Sequence, residues 1–211
     1  MVHEMNTKRR EGSIMARVKL TVLPLIPDRW ADLETIMNSR GCSIARSCWC
    51  MAYRRTGSYQ PPSGTTRSKG NRADFKALVK AGRPTGLIAY HDDIPVGWIS
   101  IGPREDFKRL EKSPVMKPVD DTQGIWSVIC FVVPPEYRGQ GIAHALLKSA
   151  IHYAREQGAT LVEAYPVDKA RRSNDNDMWF GPKSMYDRAG FKEVARRKPA
   201  RPVVRLKLGA R

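Results

Sequence analysis

Long apolar runs are missing from this chain of 211 residues. No stretch approaches the ~20 residues that would cross a bilayer as a helix. Its opening, MVHEMNTKRREGSIMAR, holds no apolar leader core, which predicts a cytoplasmic protein. Cysteine is sparse. Cys42, Cys48, Cys50 and Cys130 are too few, in a reducing compartment, for a disulfide framework. Their Cys-x5-Cys-x-Cys spacing also lacks the paired Cys-x2-Cys of structural zinc sites, so no metal is expected and packed thiols are. Zinc-finger and aromatic RNA-binding motifs are absent, as is the Gly-Lys-Ser/Thr of a P-loop. No internal repeat stands out.

Acidic residues are few as well: 21 Asp and Glu face 37 Lys and Arg, for a net charge of +16. The excess is local. Residues 40–83 hold ten Lys/Arg against one Asp, and residues 188–211 hold nine against one Glu. Such segments attract an anion. A nucleic-acid-associated protein is therefore a second reading, secondary for want of a matching motif. The length suits one domain, residues 17–211, behind a basic flexible tail, residues 1–16.

What the chain does have is a strand, a glycine turn and an amphipathic helix in succession, from Ile125 to Gly158. The apolar run Trp126 to Val133 stops at Pro134-Pro135 and reads as a buried strand. Tyr137-Arg138-Gly139-Gln140-Gly141 follows. Ile142, Leu146, Leu147, Ala150, Ile151 and Ala154 then recur at helical spacing, with Gly158 at the C-cap. This order of parts offers free backbone N–H groups and a positive helix end to a phosphate. Glycine there lets the backbone come close to oxygen, and Arg138 adds fixed charge.

The run Val133-Pro134-Pro135-Glu136-Tyr137-Arg138-Gly139-Gln140-Gly141-Ile142-Ala143 closely resembles the acetyl-CoA-binding signature of the GNAT superfamily of N-acetyltransferases. Arg138, Gly141 and Ala143 occupy the defined places of Arg/Gln-x-x-Gly-x-Gly/Ala. Downstream, Tyr186-Asp187-Arg188-Ala189-Gly190-Phe191 is similar to the family's Tyr-x-x-x-Gly-Phe helix end. Cys48-Trp49-Cys50-Met51 resembles a segment of a bacterial subgroup of the family.

The resemblance implies an α/β (α+β) GNAT fold. Its central sheet would be mixed, mostly antiparallel, of six to seven strands, splayed at strands 4 and 5 and flanked by helices. It implies transfer of acetyl from acetyl-CoA to a primary amine of a small molecule or peptide by direct attack, in a monomer or homodimer without membrane contact. An acyltransferase acting on aminoacyl-tRNA is the alternative. Backbone groups of Phe131, Val132 and Val133 would bind pantetheine, and the turn Arg138, Gly139, Gln140, Gly141, Ile142 and Ala143 the pyrophosphate. Cys48, Trp49, Cys50 and Tyr53 would line the acceptor side, and Tyr186 would protonate the departing thiolate. A neutral phenol suits that role.

The remaining elements are read locally. Asp28 is expected to cap a helix bearing Trp30, Leu33, Ile36 and Met37, and Asn71 one over 73–81. Leu87 to Tyr90 and Ile94 to Ile101 predict a hairpin. Further strands are expected over 160–165, 191–196 and 203–208. The attacking ammonium must lose a proton. Glu163, in an apolar strand, is either that base or an outward, solvated carboxylate; Glu105, Asp106, Asp120 and Asp121 could hold a cationic substrate.

Overall fold

A computed structural model describes residues 20–169 and 178–209. Short segments rich in apolar and β-branched residues become strands. They are β1 (Leu20–Pro24), β2 (Gly86–His91), β3 (Ile94–Pro103), β4 (Ile125–Val132), β5 (Leu161–Ala164), β6 (Lys192–Ala195) and β7 (Val203–Lys207). One sheet holds them in the order β1-β2-β3-β4-β5-β7-β6. Every neighbouring pair is antiparallel except β4 and β5. The helices are α1 (Trp30–Asn38), α2 (Ser43–Cys48), α3 (Arg67–Lys80), α4 (Ile142–Glu156) and α5 (Lys183–Arg188). This is the expected GNAT-like architecture, with seven strands. Among the described residues no helix is long and apolar enough to cross a membrane. The basic tail expected over 1–16 lies outside them.

Two helix starts differ from the sequence reading. A 3-10 turn, Pro27–Arg29, leads into α1, whose N-cap is Arg29 and not Asp28. Helix α3 begins well before Asn71: the Thr66 hydroxyl caps it by accepting from the Lys69 amide at 3.2 Å. Asn71 lies inside that helix, where it donates to the Ser47 carbonyl at 2.8 Å. A side chain committed to a neighbouring segment leaves the capping role to the hydroxyl upstream.

The element that positions the rest is α4. Ile142, Leu146, Leu147, Ala150 and Ala154 are buried on one face, against β3 and the sheet core. Gly97 on β3 makes the approach possible, since a Cβ there would stand 2.7 Å from Ile142 Cγ2 and 3.2 Å from Leu146 Cδ1. The helix end is thereby held over the edge of β4.

β4 and β5 pair only from Ile125/Leu161 to Val128/Ala164. Beyond that, β4 runs on to Val132 without β5 beside it. The register of β4 with β3 shifts at the same level, leaving Ile129 unpaired in a bulge between the Ser100/Cys130 and Ile101/Val128 pairs. A bulge bends its strand, and here it accompanies the parting of the sheet.

Candidate active site

The parting of β4 from β5 opens a cavity of about 460 Å³. One wall is the free length of β4: Ile129, Cys130, Phe131, Val132 and Val133. Facing it stand Gly41, Cys42, Ile44, Ala45, Cys48, Cys50, Ala52 and Tyr53, from α2 and its flanks. Met178, Trp179, Gly181 and Pro182 form a third side, and Arg138 and Ala143 one end. The walls are largely apolar. No carboxylate and no imidazole is among the described lining residues.

At the Arg138 end, the backbone is shaped for an anion. Gly139 and Gly141 have φ of +77° and +79°, and a Cβ on either would meet nothing within 4 Å. Gly141 is the N-cap of α4 and supplies no side-chain cap, so the first-turn N–H groups face outward beyond it. That combination receives phosphate. The Arg138 Nε donates to the Val133 carbonyl at 2.9 Å, fastening the turn to the end of β4. Gln140 is exposed and donates to the Glu136 carbonyl at 2.9 Å. The Ile142 side chain is buried in the core, which leaves only its backbone to the turn. The Phe131 amide donates to the Trp179 carbonyl at 2.7 Å, so it is already partnered.

On the opposite wall, Cys48, Cys50 and Tyr53 line the cavity and Trp49 does not. Trp49 is buried and stacks on Trp30, with ring centroids 5.7 Å apart. The reason is local: Trp49 and Cys50 both adopt the left-handed conformation, φ +47° and +52°. The chain therefore turns sharply as α2 ends, sending the indole into the core and the next thiol toward the cleft. Two successive non-glycine residues at positive φ are uncommon and cost about 1–2 kcal/mol each. Cys42 and Cys130 complete a set of four thiols on one cavity, a convergence the sequence spacing did not reveal. Among the described residues no group of three or more His, Cys, Asp or Glu is placed to hold a metal ion.

The two residues expected to move protons are elsewhere. Tyr186 is fully buried, packs edge-on against Phe191 and donates its hydroxyl to the Phe180 carbonyl at 2.9 Å. Burial pushes its pKa up, and the ring is behind the cavity wall, not on it. Glu163 is neither a cleft base nor solvated. It is buried between the guanidiniums of Arg104, at 3.1 Å, and Arg205, at 2.7 Å, and accepts the Tyr165 hydroxyl at 2.5 Å. Ser127, its cross-strand partner, meets that same hydroxyl at 3.3 Å. The network ties β4, β5 and β7 together just below the point where the sheet parts. Asp106 and Asp120 are also spoken for, by Arg54 and Arg83 and by Arg205.

Comparison with known proteins follows the same lines. A family model described as Acetyltransferase (GNAT) family matches residues 47–178. No curated protein matches the sequence. Among solved structures, yncA of Salmonella typhimurium with its cofactor acetyl-CoA is 16% identical at a TM-score of 0.52, over 91% of this chain and 95% of that one. A ribosomal-protein-alanine N-acetyltransferase from Brucella melitensis is 17% identical at 0.51, over 89% and 99%. A GCN5-related N-acetyltransferase from Kribbella flavida is 15% identical at 0.52, over 90% and 98%. At these identities the likeness is one of fold.

Proposed function

Because this chain belongs to the GNAT acetyltransferase family, whose co-substrate is acetyl-CoA, we propose that its cleft presents the acetyl thioester to a primary amine of a small molecule or peptide, which attacks it directly. The observation that carries this reading is the opening of β4 away from β5, with the glycine turn and α4 N-terminus at one end of the same cavity. The residues present fit the co-substrate. The open space over Gly139 and Gly141 admits a pyrophosphate, and the strip Cys130–Val133, with no β5 strand beside it, gives an extended chain a wall to lie along, although its Phe131 amide is already given to the Trp179 carbonyl. The chain's excess of Lys and Arg supplies a long-range field for so anionic a molecule.

The acceptor wall narrows the chemistry. Thiols, Ala52, Tyr53, Met178 and Trp179 surround the space, with Arg109 as a cation on it. With no described carboxylate there, the amine reacts as the free base or loses its proton to water, and its non-reacting part is apolar or aromatic. A main-chain N–H of β4 aimed at the thioester oxygen would stabilise the developing charge by ~3 kcal/mol. The test is a thiol-release screen with acetyl-CoA against aromatic and aliphatic amines, amino acids, polyamines, aminoglycosides and peptides. Release with apolar or aromatic amines is expected. Binding of acetyl-CoA without release across the panel would overturn transfer and leave a binding domain.

A further inference from the structure

We propose that Arg109 and Tyr53 form a carboxylate site at the acceptor end of the cleft, and that the acceptor is a free α-amino acid with an apolar or aromatic side chain. The inference deepens the transfer reading above and rests on it.

The cavity has two ends, set by the direction of β4. Val133 meets the glycine turn, where Arg138 is fastened to its carbonyl. Ile129 lies at the other end, roughly 13 Å away at about 3.3 Å per strand residue. It packs there in one cluster with Phe107, Leu110 and Phe180, and the Tyr53 ring sits against that cluster. Arg109 belongs to this end. It falls between Phe107 and Leu110 in the chain, and its amide donates to the Tyr53 carbonyl at 3.1 Å. The guanidinium is therefore remote from the turn assigned to pyrophosphate.

Both side chains bring donors that the protein leaves without an acid. Arg109 lines the cavity, is exposed, and reaches one backbone oxygen, that of Gly57, at 3.4 Å, longer than the usual range. Among the described residues it forms no ion pair. Arg104 and Arg54, by contrast, are engaged by Glu163 and Asp106. Tyr53 lines the same cavity half-buried, its ring edge-on to Phe180 with centroids 5.5 Å apart. Its hydroxyl makes no hydrogen bond among the described residues. Burial raises that phenol's pKa against the pull of Arg201 and Arg109, so the proton stays on and is available to donate.

A guanidinium with a phenol beside it suits a carboxylate: two parallel N–H···O bonds from the one, an O–H···O bond from the other. A simple ammonium gains nothing from that pair, because the cation repels it. The group bound there is thus anionic and joined to the amine. The rest of this end, Ile129, Ala52, Met178 and Trp179, is apolar and takes a hydrocarbon or aromatic side chain. The same 460 Å³ must also hold the thioester arm, which suits a single amino acid better than a longer peptide. With its carboxylate held at Arg109, the amine on the adjoining carbon is directed back along β4 toward the thioester. Arg109 and Tyr53 position the acceptor and select it; neither takes its proton.

The experiment measures kcat/KM for thiol release from acetyl-CoA with phenylalanine, phenylalaninamide and phenethylamine, and with the matching leucine series. The parent chain is compared with Arg109→Met, Arg109→Lys and Tyr53→Phe. The amide's amine is less basic than that of the acid, so a preference for the acid over the amide does not come from the supply of free base. The parent should prefer the acid over both analogues. Arg109→Met should cut that preference by about 10- to 100-fold, as loss of a hydrogen bond to a charged group does. Tyr53→Phe should cut it by about 2- to 10-fold. Arg109→Lys should retain part of it, keeping the charge and losing the fork. Acetyl-CoA affinity in calorimetry reports that each variant is folded. A parent that takes the amine or the amide as well as the acid would overturn the proposal. So would an Arg109→Met that loses all three acceptors alike, the result expected of a merely structural tie to Gly57. If acetyl-CoA binds and no amine is acetylated, the transfer reading fails, and calorimetry of phenylalanine and leucine on the coenzyme A-loaded protein decides the carboxylate site. Binding that Arg109→Met weakens would support it; no binding would overturn it.

Discussion

The Tyr186 hydroxyl donates to the Phe180 carbonyl at 2.9 Å, one residue before Gly181 turns the chain into the cavity wall. The bond pins that wall from behind. Tyr186→Phe keeps the ring against Phe191 and leaves a buried carbonyl unpaired, which costs about 1–3 kcal/mol. Urea unfolding should register that loss, while thiol release with an amine accepted in the screen stays close to the parent rate. A fall of about 10²-fold in kcat with stability intact would return the phenol to the role of general acid.

Glu163 carries a different expectation. Its carboxylate is shared by Arg104, Arg205 and Tyr165, all buried. Glu163→Gln removes the charge between two guanidiniums and should destabilise the fold by about 3–5 kcal/mol, as loss of one partner of a buried pair does. The pH dependence of acetyl transfer should be unmoved in whatever fraction stays folded. If the variant were stable and lost the acid limb of its pH–rate profile, the residue would be the base after all.

Gly97 and Ile142 set the height of α4 above the sheet. Gly97→Ala places a methyl 2.7 Å from Ile142 Cγ2. Overpacking of this kind costs about 1–3 kcal/mol, and lifting the helix start should also weaken acetyl-CoA binding in calorimetry. Ile142→Ala in the same chain should relieve both effects. Additive losses in the double variant would mean that the two sites do not press on one another.

These expectations divide along the line between local and long-range information. The β4–turn–α4 unit was legible because each part is coded within a few residues: the apolar run, Pro134-Pro135, two glycines and a 3.6-residue apolar stripe. The splay could be expected only through the family resemblance, since it depends on where β4 and β5 stop pairing. The surroundings of Glu163 and Tyr186 were not legible for a related reason. An acidic residue in an apolar strand looks alike whether its partners are solvent, substrate or arginines forty and sixty residues away. Trp49 illustrates the local version. Cys48, Trp49 and Cys50 read as one wall, and the left-handed turn that separates the indole from the thiols left no mark in residue type.

Gly141 offers the sharpest test of the anion site, because geometry and charge can be varied apart. At φ +79° any L-residue carries about 1–2 kcal/mol of strain, though Asn and Asp tolerate that region best. A side chain there meets no protein atom within 4 Å, so the fold should accept both Gly141→Asn and Gly141→Asp. Asp should even recover some stability, since a negative charge at the start of α4 favours the helix. Both substitutions fill the space assigned to a pyrophosphate. Only Asp adds like charge, worth about 4 kcal/mol for two unit charges 4 Å apart at an effective dielectric of 20. Acetyl-CoA affinity should therefore fall modestly in Gly141→Asn and by about a further thousandfold in Gly141→Asp. The gap should narrow as salt is raised. Calorimetry on the two folded variants checks this directly, and equal affinities would remove the pyrophosphate from the turn.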